Sequence, residues 1–431
     1  MTIALLGDSL LDTGNLTNVL APFGILPFPD LLFSDPPYSG GKASNDLVLG
    51  EAVVAQLGVD PDSLLLGFRL PTSASTLNPL SENINYAAAG ATTGLFGSVG
   101  NSLETVPIGV QTQAALFIQD VTSASISASE ARKPDIILSA GSNDVFEVLA
   151  DISSLASVLL SPDKNDDSAL ISDLATQVTQ NIYAAIASLE NYADDIVVLG
   201  LSKLGDAPFS IQVDGAVDAL LPGDYAGQTR AFLTSVAAEI NTRLSLTYNG
   251  YDPRNSDLFN DIATAIDSNV DQVLRGIEDF SKGTIEFGSS LLADTQFSTT
   301  FDDLTGDLLG SNPFGQAEDF LVGFFNNASD YLADQIDDFD PAKNVLVIDG
   351  ISVFEDGLAA WQESVLSAGL APVTEVSYLD YLTQSTGLPD NLDSRSFAFT
   401  DGSHPTSDLS QFVAAQIAPQ IQAEFSRFGL G

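Results

Sequence analysis

The sequence predicts an α/β protein: a three-layer α/β/α sandwich on a flavodoxin-like, five-stranded parallel sheet, interrupted by one helical insertion. Two observations predict it. Five short apolar runs, each followed within two residues by Gly, Ser or Asp, alternate along the chain with helical patterns. Strands alternating with helices make βαβ units, whose crossover helices cover both faces of a parallel sheet. A single block, 247–342, breaks the alternation, because it holds no run that reads as a buried strand.

The five strands are expected at Ile3–Leu6, Ile84–Ala88, Ile136–Leu138, Ile196–Leu199 and Val345–Ile348. A strand buried on both faces reads as a continuous apolar run, not as alternation. The first helix is expected over Leu47–Leu57, opened by Ser44, Asn45 and Asp46, whose short polar side chains suit capping of free N–H groups. Thr112–Val121, Leu174–Leu189 and Phe232–Leu246 carry further helical patterns, and Leu409–Phe425 closes the chain. In a doubly wound sheet, sites form beyond the C-terminal ends of the strands.

The block at 247–342 reads as helical. Leu258, Ile262, Ile266, Val270, Val273, Ile277 and Phe280 recur at steps of three and four residues, the stripe of an amphipathic helix. A second stripe runs from Phe320 through Phe325 to Phe339, and the block holds 10 of the 25 phenylalanines. We read 1–431 as a single domain with 247–342 as a Phe-rich insertion within it. The insertion is either a cap or lid over a lipid-like ester, or two stripes packed on each other and on the sandwich.

Composition removes whole classes of function. Hydrophobic residues make up 45% and mean hydropathy is +0.18, so the chain is neither disordered nor fibrous. Against 14 basic residues stand 58 acidic ones, a net charge of −44, and Asp outnumbers Glu 44 to 14. That field repels phosphate backbones and anionic membrane surfaces, which excludes nucleic acid as a partner. No cysteine is present, so disulfides, thiol catalysis and Cys-ligated metals are excluded, and one histidine excludes multi-His metal sites. No metal or other cofactor is expected. No run approaches the roughly 18 apolar residues of a membrane-spanning helix. The chain opens directly on a strand without a basic leader, so no ordinary signal peptide is expected.

Four short motifs carry chemistry. His404, the sole histidine, lies in Thr400-Asp401-Gly402-Ser403-His404-Pro405-Thr406, a turn-rich stretch before the last helix. An Asp three residues ahead can fix the imidazole tautomer, and His is the side chain that titrates near neutral pH. The same pattern also suits a surface histidine beside a common aspartate. Gly7-Asp8-Ser9-Leu10 follows the first strand, which puts Ser9 at the C-terminal edge of the sheet. A hydroxyl needs a base to become a nucleophile, so Ser9 needs His404. Asn83–Gly94 spans the second strand and a small-residue turn in which Gly90 offers an unobstructed N–H. Ser139-Ala140-Gly141-Ser142-Asn143-Asp144 follows the third strand, and Asn143 carries an amide suited to a developing oxyanion. Each motif alone is equally an ordinary turn. The chain lacks the G-x-S-x-G elbow of standard α/β-hydrolases.

Taken in order, Gly-Asp-Ser-Leu, a small-residue glycine turn, Gly-x-Asn-Asp and Asp-x-x-His resemble the SGNH, or GDSL, lipase/esterase superfamily. Ser39–Asn45 is similar to that family's GRFSNG segment, and Leu199–Gly205 resembles its post-strand Leu-Gly turn. The resemblance covers about 1–246 and 343–431. It implies an SGNH hydrolase fold with Ser9 as nucleophile, His404 as general base and Asp401 as its orienting carboxylate. It further implies an oxyanion hole from the Ser9 N–H, the Gly90 N–H and the Asn143 side chain, with Asp8 and Asp144 as supporting turn residues.

The function expected is a serine hydrolase of carboxylic esters, an esterase or lipase acting through an acyl-enzyme on a small-molecule or lipid ester. Transfer of the acyl group to an alcohol, or carbohydrate deacetylation, would use the same residues. A catalytically inactive binding module is the rival from another class. Because the base must be neutral, activity is expected to fall below about pH 6.5, the unperturbed His value. The acidic composition and the resemblance together suggest an extracellular or surface-associated bacterial protein, with the cytoplasm as alternative. Oligomeric state is not legible.

Overall fold

The structure is a computed structural model that describes residues 2–20, 33, 37–69, 77–98, 105–106, 108–124, 132–150, 164–220, 227–248, 345–383, 388–389 and 392–425. The chain divides into two compact units, 1–68 with 77–251 and 341–431, and 69–76 with 252–340. Every element below belongs to the first. Of the insertion expected at 247–342, all but Thr247 and Tyr248 lies outside the described residues, and with it both Phe-rich stripes.

The elements run β1 (Ile3–Gly7), α1 (Asn15–Leu20), α2 (Leu49–Gln56), β2 (Leu65–Leu66), β3 (Ile84–Asn85), β4 (Gly97–Ser98), β5 (Thr105–Val106), α3 (Val110–Ser123), β6 (Asp135–Ser139) and α4 (Ser142–Ala150). They continue with α5 (Lys164–Leu189), β7 (Ile196–Leu199), α6 (Pro208–Leu220), α7 (Gln228–Tyr248), β8 (Val345–Ile348), α8 (Gly350–Ser367), α9 (Tyr378–Thr383) and α10 (Ser407–Glu424). The sheet is parallel throughout, in the order β2-β3-β1-β6-β7-β8. Its register sets Ala4 opposite Ile84 and Ile136, and Ile137 opposite Val197. Chain order reverses between β1 and β6, and that reversal opens a crevice beyond the carboxyl ends of these two strands. The segments that leave this edge carry Ser9 and Asn143.

All five expected strands form, but the sheet has six strands rather than five. The sixth, β2, is an edge strand of two residues, Leu65 and Leu66, which are 39% and 38% exposed. Two half-exposed leucines give neither an apolar run nor an alternation to read. A separate antiparallel pair, β4 with β5, was equally invisible at two residues each.

Along each strand successive side chains point to opposite faces. Leu5, Ile137, Val197 and Ile348 face a core that includes Leu49 and Val53 of α2, Trp361 of α8, and Val413 and Ile417 of α10. Ala4, Leu6, Ile136, Leu138 and Val198 alternate with these and are equally buried, while α3, α5 and α7 pack together. The expected helices all form, α2 over a shorter span and α3, α5 and α7 over longer ones. Capping of α2 differs from expectation. Val48 takes the cap position, and the Glu51 carboxylate reaches back to accept its N–H at 2.9 Å. Ser44 instead donates to the Leu47 carbonyl at 2.9 Å, and Asn45 Oδ1 accepts the Ser407 N–H at the start of α10, at 2.8 Å.

Candidate active site

Ser9 lies two residues beyond β1. Gly7 ends that strand at φ +154°, and a Cβ there would sit 2.0 Å from the Ser139 carbonyl oxygen, so only glycine lets the chain leave the sheet here. The Asp8 carbonyl then accepts the N–H groups of Leu11 at 3.0 Å and Asp12 at 3.1 Å, while Asp8 Oδ1 accepts that of Leu10 at 3.1 Å. The resulting tight turn spends the amides around Ser9 but not its own, which has no partner among the described residues. Gln113 of α3 clamps the strand end from behind. Its Oε1 accepts the Gly7 N–H at 2.7 Å, and its Nε2 donates to the Gly7 carbonyl at 2.8 Å.

The last segment before α10 brings the histidine in. Asp401 Oδ1 accepts the N–H groups of Ser403 and His404, both at 2.9 Å, which folds 401–404 into a side-chain-closed turn. Within it His404 Nδ1 lies 2.8 Å from Asp401 Oδ1 and 2.7 Å from Oδ2. His404 Nε2 lies 2.7 Å from Ser9 Oγ, across 395 residues of sequence. An ionised carboxylate only accepts, so Nδ1 carries the proton and Nε2 presents its lone pair to the hydroxyl.

Two further turns complete the rim. Gly90 adopts φ +83°, and its N–H has no partner among the described residues. Asn143, in the first turn of α4, donates from Nδ2 to the Ala91 carbonyl at 2.9 Å, which leaves its second amide hydrogen unspent. Its neighbour Asp144 accepts the Thr93 N–H at 2.9 Å and the Thr93 hydroxyl at 2.7 Å. The pair therefore grips the turn that follows Gly90. Ser9, Gly90, Asn143 and His404 line one cavity of about 640 Å³, whose walls include Leu10, Phe146, Phe209 and Phe354. The sequence thus named residues that the fold brings together: Asp8, Ser9, Gly90, Asn143 and His404 line the cavity, Asp401 stands behind the imidazole, and Asp144 holds the turn at Thr93.

A sequence profile described as GDSL-like lipase/acylhydrolase matches residues 3–280, well over half of the chain. The protein belongs to this family. No curated protein matches the chain. Membership makes it a hydrolase of the esterase type with an SGNH/GDSL fold. The matched span contains Ser9, Gly90 and Asn143 but ends before Asp401 and His404, so the contacts of His404 with Ser9 and of Asp401 with His404 come from the fold and not from the profile.

Electrostatics at the hydrolase site follow from burial. Burial pushes the Asp8 carboxyl up to about 6, against the pull of the Leu10 N–H and of His404, and the buried Asp8 Oδ2 has no hydrogen-bond partner among the described residues. For Asp401, burial works against ionisation, but the charge and hydrogen bond of His404 and two backbone N–H groups outweigh it and hold the carboxyl below its ordinary value. Burial likewise disfavours a charged His404, yet the charge of Asp401, its hydrogen bond and the charge of Asp8 win, so the imidazole lies above its ordinary 6.5. Burial lifts Asp12 to about 6 and Asp144 to about 7. Among the described residues no group of three or more His, Asp and Glu is arranged to hold a metal ion. No helix among them is long and apolar enough to cross a membrane.

Sequence reasoning missed three residues that build the GDSL-like site. Asp12 accepts N–H groups from Gly14, Asn15 and Leu16 at the start of α1, and from Ala89 beside Gly90. Gln113 holds the end of β1. Tyr38 donates its hydroxyl to Asp401 Oδ2 at 2.8 Å. Asp12 had a signal in lying three residues after Ser9 in the same post-strand stretch, and Tyr38 in immediately preceding the Ser39–Asn45 segment already singled out.

Proposed function

We propose that this hydrolase cleaves carboxylic esters by a Ser9–His404–Asp401 triad through an acyl-enzyme. The observation that carries the reading is the unbroken chain of contacts Asp401–Nδ1–His404–Nε2–Ser9 Oγ, with both ring nitrogens within 2.8 Å of their partners. The chemistry follows that line. Ser9 Oγ bonds to the ester carbonyl carbon as its proton passes to His404 Nε2. Asp401 stabilises the imidazolium so formed. The ester C–O bond then breaks, His404 returns the proton to the departing alkoxide, and an alcohol leaves. Water repeats the sequence. Its proton goes to His404, its oxygen bonds to the acyl carbon, and the bond to Ser9 Oγ breaks as Ser9 regains a proton and the acid departs.

The negative oxygen of each tetrahedral intermediate needs donors that are already aimed and unspent. The free N–H groups of Ser9 and Gly90 and the second amide hydrogen of Asn143 supply this requirement in our reading. The apolar cavity wall, with Phe146 and Phe209 in edge-to-face contact at 5.7 Å, suits an uncharged ester. Hydrolysis of p-nitrophenyl acetate, butyrate and palmitate by wild type, Ser9→Ala and His404→Ala tests the proposal. Loss of activity by orders of magnitude in both variants is the expected result, and chain-length preference then separates lipase from short-chain esterase. Undiminished turnover by either variant would overturn it.

A further inference from the structure

We propose that Tyr38 is a positioning residue of this hydrolase, whose hydroxyl fixes and tempers Asp401 and, through it, His404; the proposal rests on the triad reading above. Asp401 Oδ1 is crowded by donors, taking the Ser403 and His404 N–H groups as well as one side of the imidazole. Oδ2 meets His404 Nδ1 at 2.7 Å and, from the other side, the Tyr38 hydroxyl at 2.8 Å. The phenol is thus the donor that fixes the outer oxygen, and with it the plane in which the carboxylate faces the ring.

The chain holds Tyr38 there deliberately. Ser39 N–H donates to the Ser44 carbonyl at 2.9 Å, closing the segment into a loop, and Thr17 Oγ1 ties the Gly41 carbonyl to α1 at 3.2 Å. Asn45 at the other end of that loop accepts the Ser407 N–H, three residues after His404. The 38–45 segment therefore grips the histidine-bearing turn at two points, Asp401 and Ser407. Phe33 packs edge-on against both Tyr38, at 5.0 Å between ring centres, and His404, at 5.6 Å. Aromatic rings on this side limit the access of water to the carboxylate, so a lost hydroxyl is poorly replaced by solvent.

A hydrogen bond donated to a carboxylate stabilises its charge and weakens its hold on a proton or an imidazolium. The Tyr38 hydroxyl accordingly limits how far Asp401 raises the basicity of His404. The other titratable groups near the imidazole are Asp8, whose charge acts on it, and Glu147 and Lys203, which line the same cavity.

The test is the pH profile of kcat/KM on an uncharged p-nitrophenyl ester for wild type, Tyr38→Phe and a protein carrying 3-fluorotyrosine at position 38. Tyr38→Phe should lose about tenfold in kcat with little change in KM, the size of one charged hydrogen bond. Its acid limb should move to higher pH, since Asp401 then acts on His404 undiluted. The fluorinated phenol is nearly the same size and a stronger donor, so its limb should move to lower pH. It settles the matter if Tyr38→Phe fails to fold. Limbs that coincide with wild type in the folded variants overturn the proposal, even if kcat falls, because a mere packing role would leave the profile in place. Ser9→Ala, assayed alongside, separates the two readings: if it remains active, the triad itself is wrong and the role of Tyr38 falls with it.

Discussion

Asp12 Oδ2 accepts the Ala89 N–H at 2.8 Å, joining the turn after β1 to the turn after β3 across 77 residues. The same carboxylate caps α1 through Gly14, Asn15 and Leu16 at 2.8, 2.6 and 3.2 Å. Ser9 stands on the first turn and Gly90 on the second, so Asp12 fixes the spacing between the two proposed oxyanion donors without reaching the cavity itself. Asp12→Ala should therefore lower kcat by one to two orders of magnitude. Leaving buried N–H groups unpaired costs roughly 1–3 kcal/mol each, so stability should fall by about 2–4 kcal/mol after partial relaxation. Urea unfolding and ester hydrolysis measure both, and an active, undestabilised Asp12→Ala would show that the link between the turns is idle.

Asn143→Ala should cost about 3 kcal/mol of transition-state stabilisation, roughly a hundredfold in kcat, with KM nearly unchanged. It also removes the bond to the Ala91 carbonyl, so the variant should be compared with wild type by thermal unfolding. A rise in KM at constant kcat would assign Asn143 to substrate binding rather than to the oxyanion.

The acid limb of kcat/KM should have its midpoint above pH 6.5. In the proposed mechanism neutral His404 is the active form, and Asp401 and Asp8 outweigh the opposing effect of burial and raise its pKa, so the fall is expected above the ordinary 6.5. The bare sequence placed this fall at the unperturbed value; the two carboxylates around the ring move it upward. A profile flat to pH 4 would count against His404 as the base.

Stability should be greater at pH 5.5 than at pH 8. Asp8 and Asp12 near 6 and Asp144 near 7 lie above their ordinary 3.8, so the folded chain holds protons that the unfolded chain has already released. Their contribution is complete below about pH 4 and is lost as pH rises through 6 to 7. His404 acts in the same sense, its contribution present below about 6.5 and lost as pH rises through its raised value. Asp401, held low, opposes them only as pH falls through its depressed value, below about 4. Salt should raise the pH 8 urea midpoint more than the pH 5.5 one, because a net charge of −44 repels itself most when fully ionised. Equal midpoints at the two pH values would contradict these shifts.

The legible part of this fold is the part with a period or a run. Ile3–Leu6 and Ile196–Leu199 announce buried strands because every residue is apolar, and α10 shows its stripe at Leu409, Val413 and Ile417. The residues around Ser9 and His404 were legible because short turns put the proposed nucleophile and base in fixed local patterns. What escaped is side-chain work over long separations. No local pattern says that Gln113 will grip Gly7, that Asp12 will reach Ala89, or that Asn45 will leave the helix beside it to cap α10. Each is one polar side chain satisfying a buried backbone group elsewhere, and an isolated Asp, Asn or Gln reads the same whether it faces solvent or such a partner.

The most direct test of the central claim is a rapid-mixing experiment with p-nitrophenyl butyrate, followed by intact-protein and peptide mass measurement. Wild type should give a burst of p-nitrophenol up to one equivalent per active site and a transient butyryl adduct on Ser9; Ser9→Ala should give neither, and His404→Ala neither at a comparable rate. Steady hydrolysis without an adduct on Ser9, or an adduct that persists on another residue in Ser9→Ala, would contradict it.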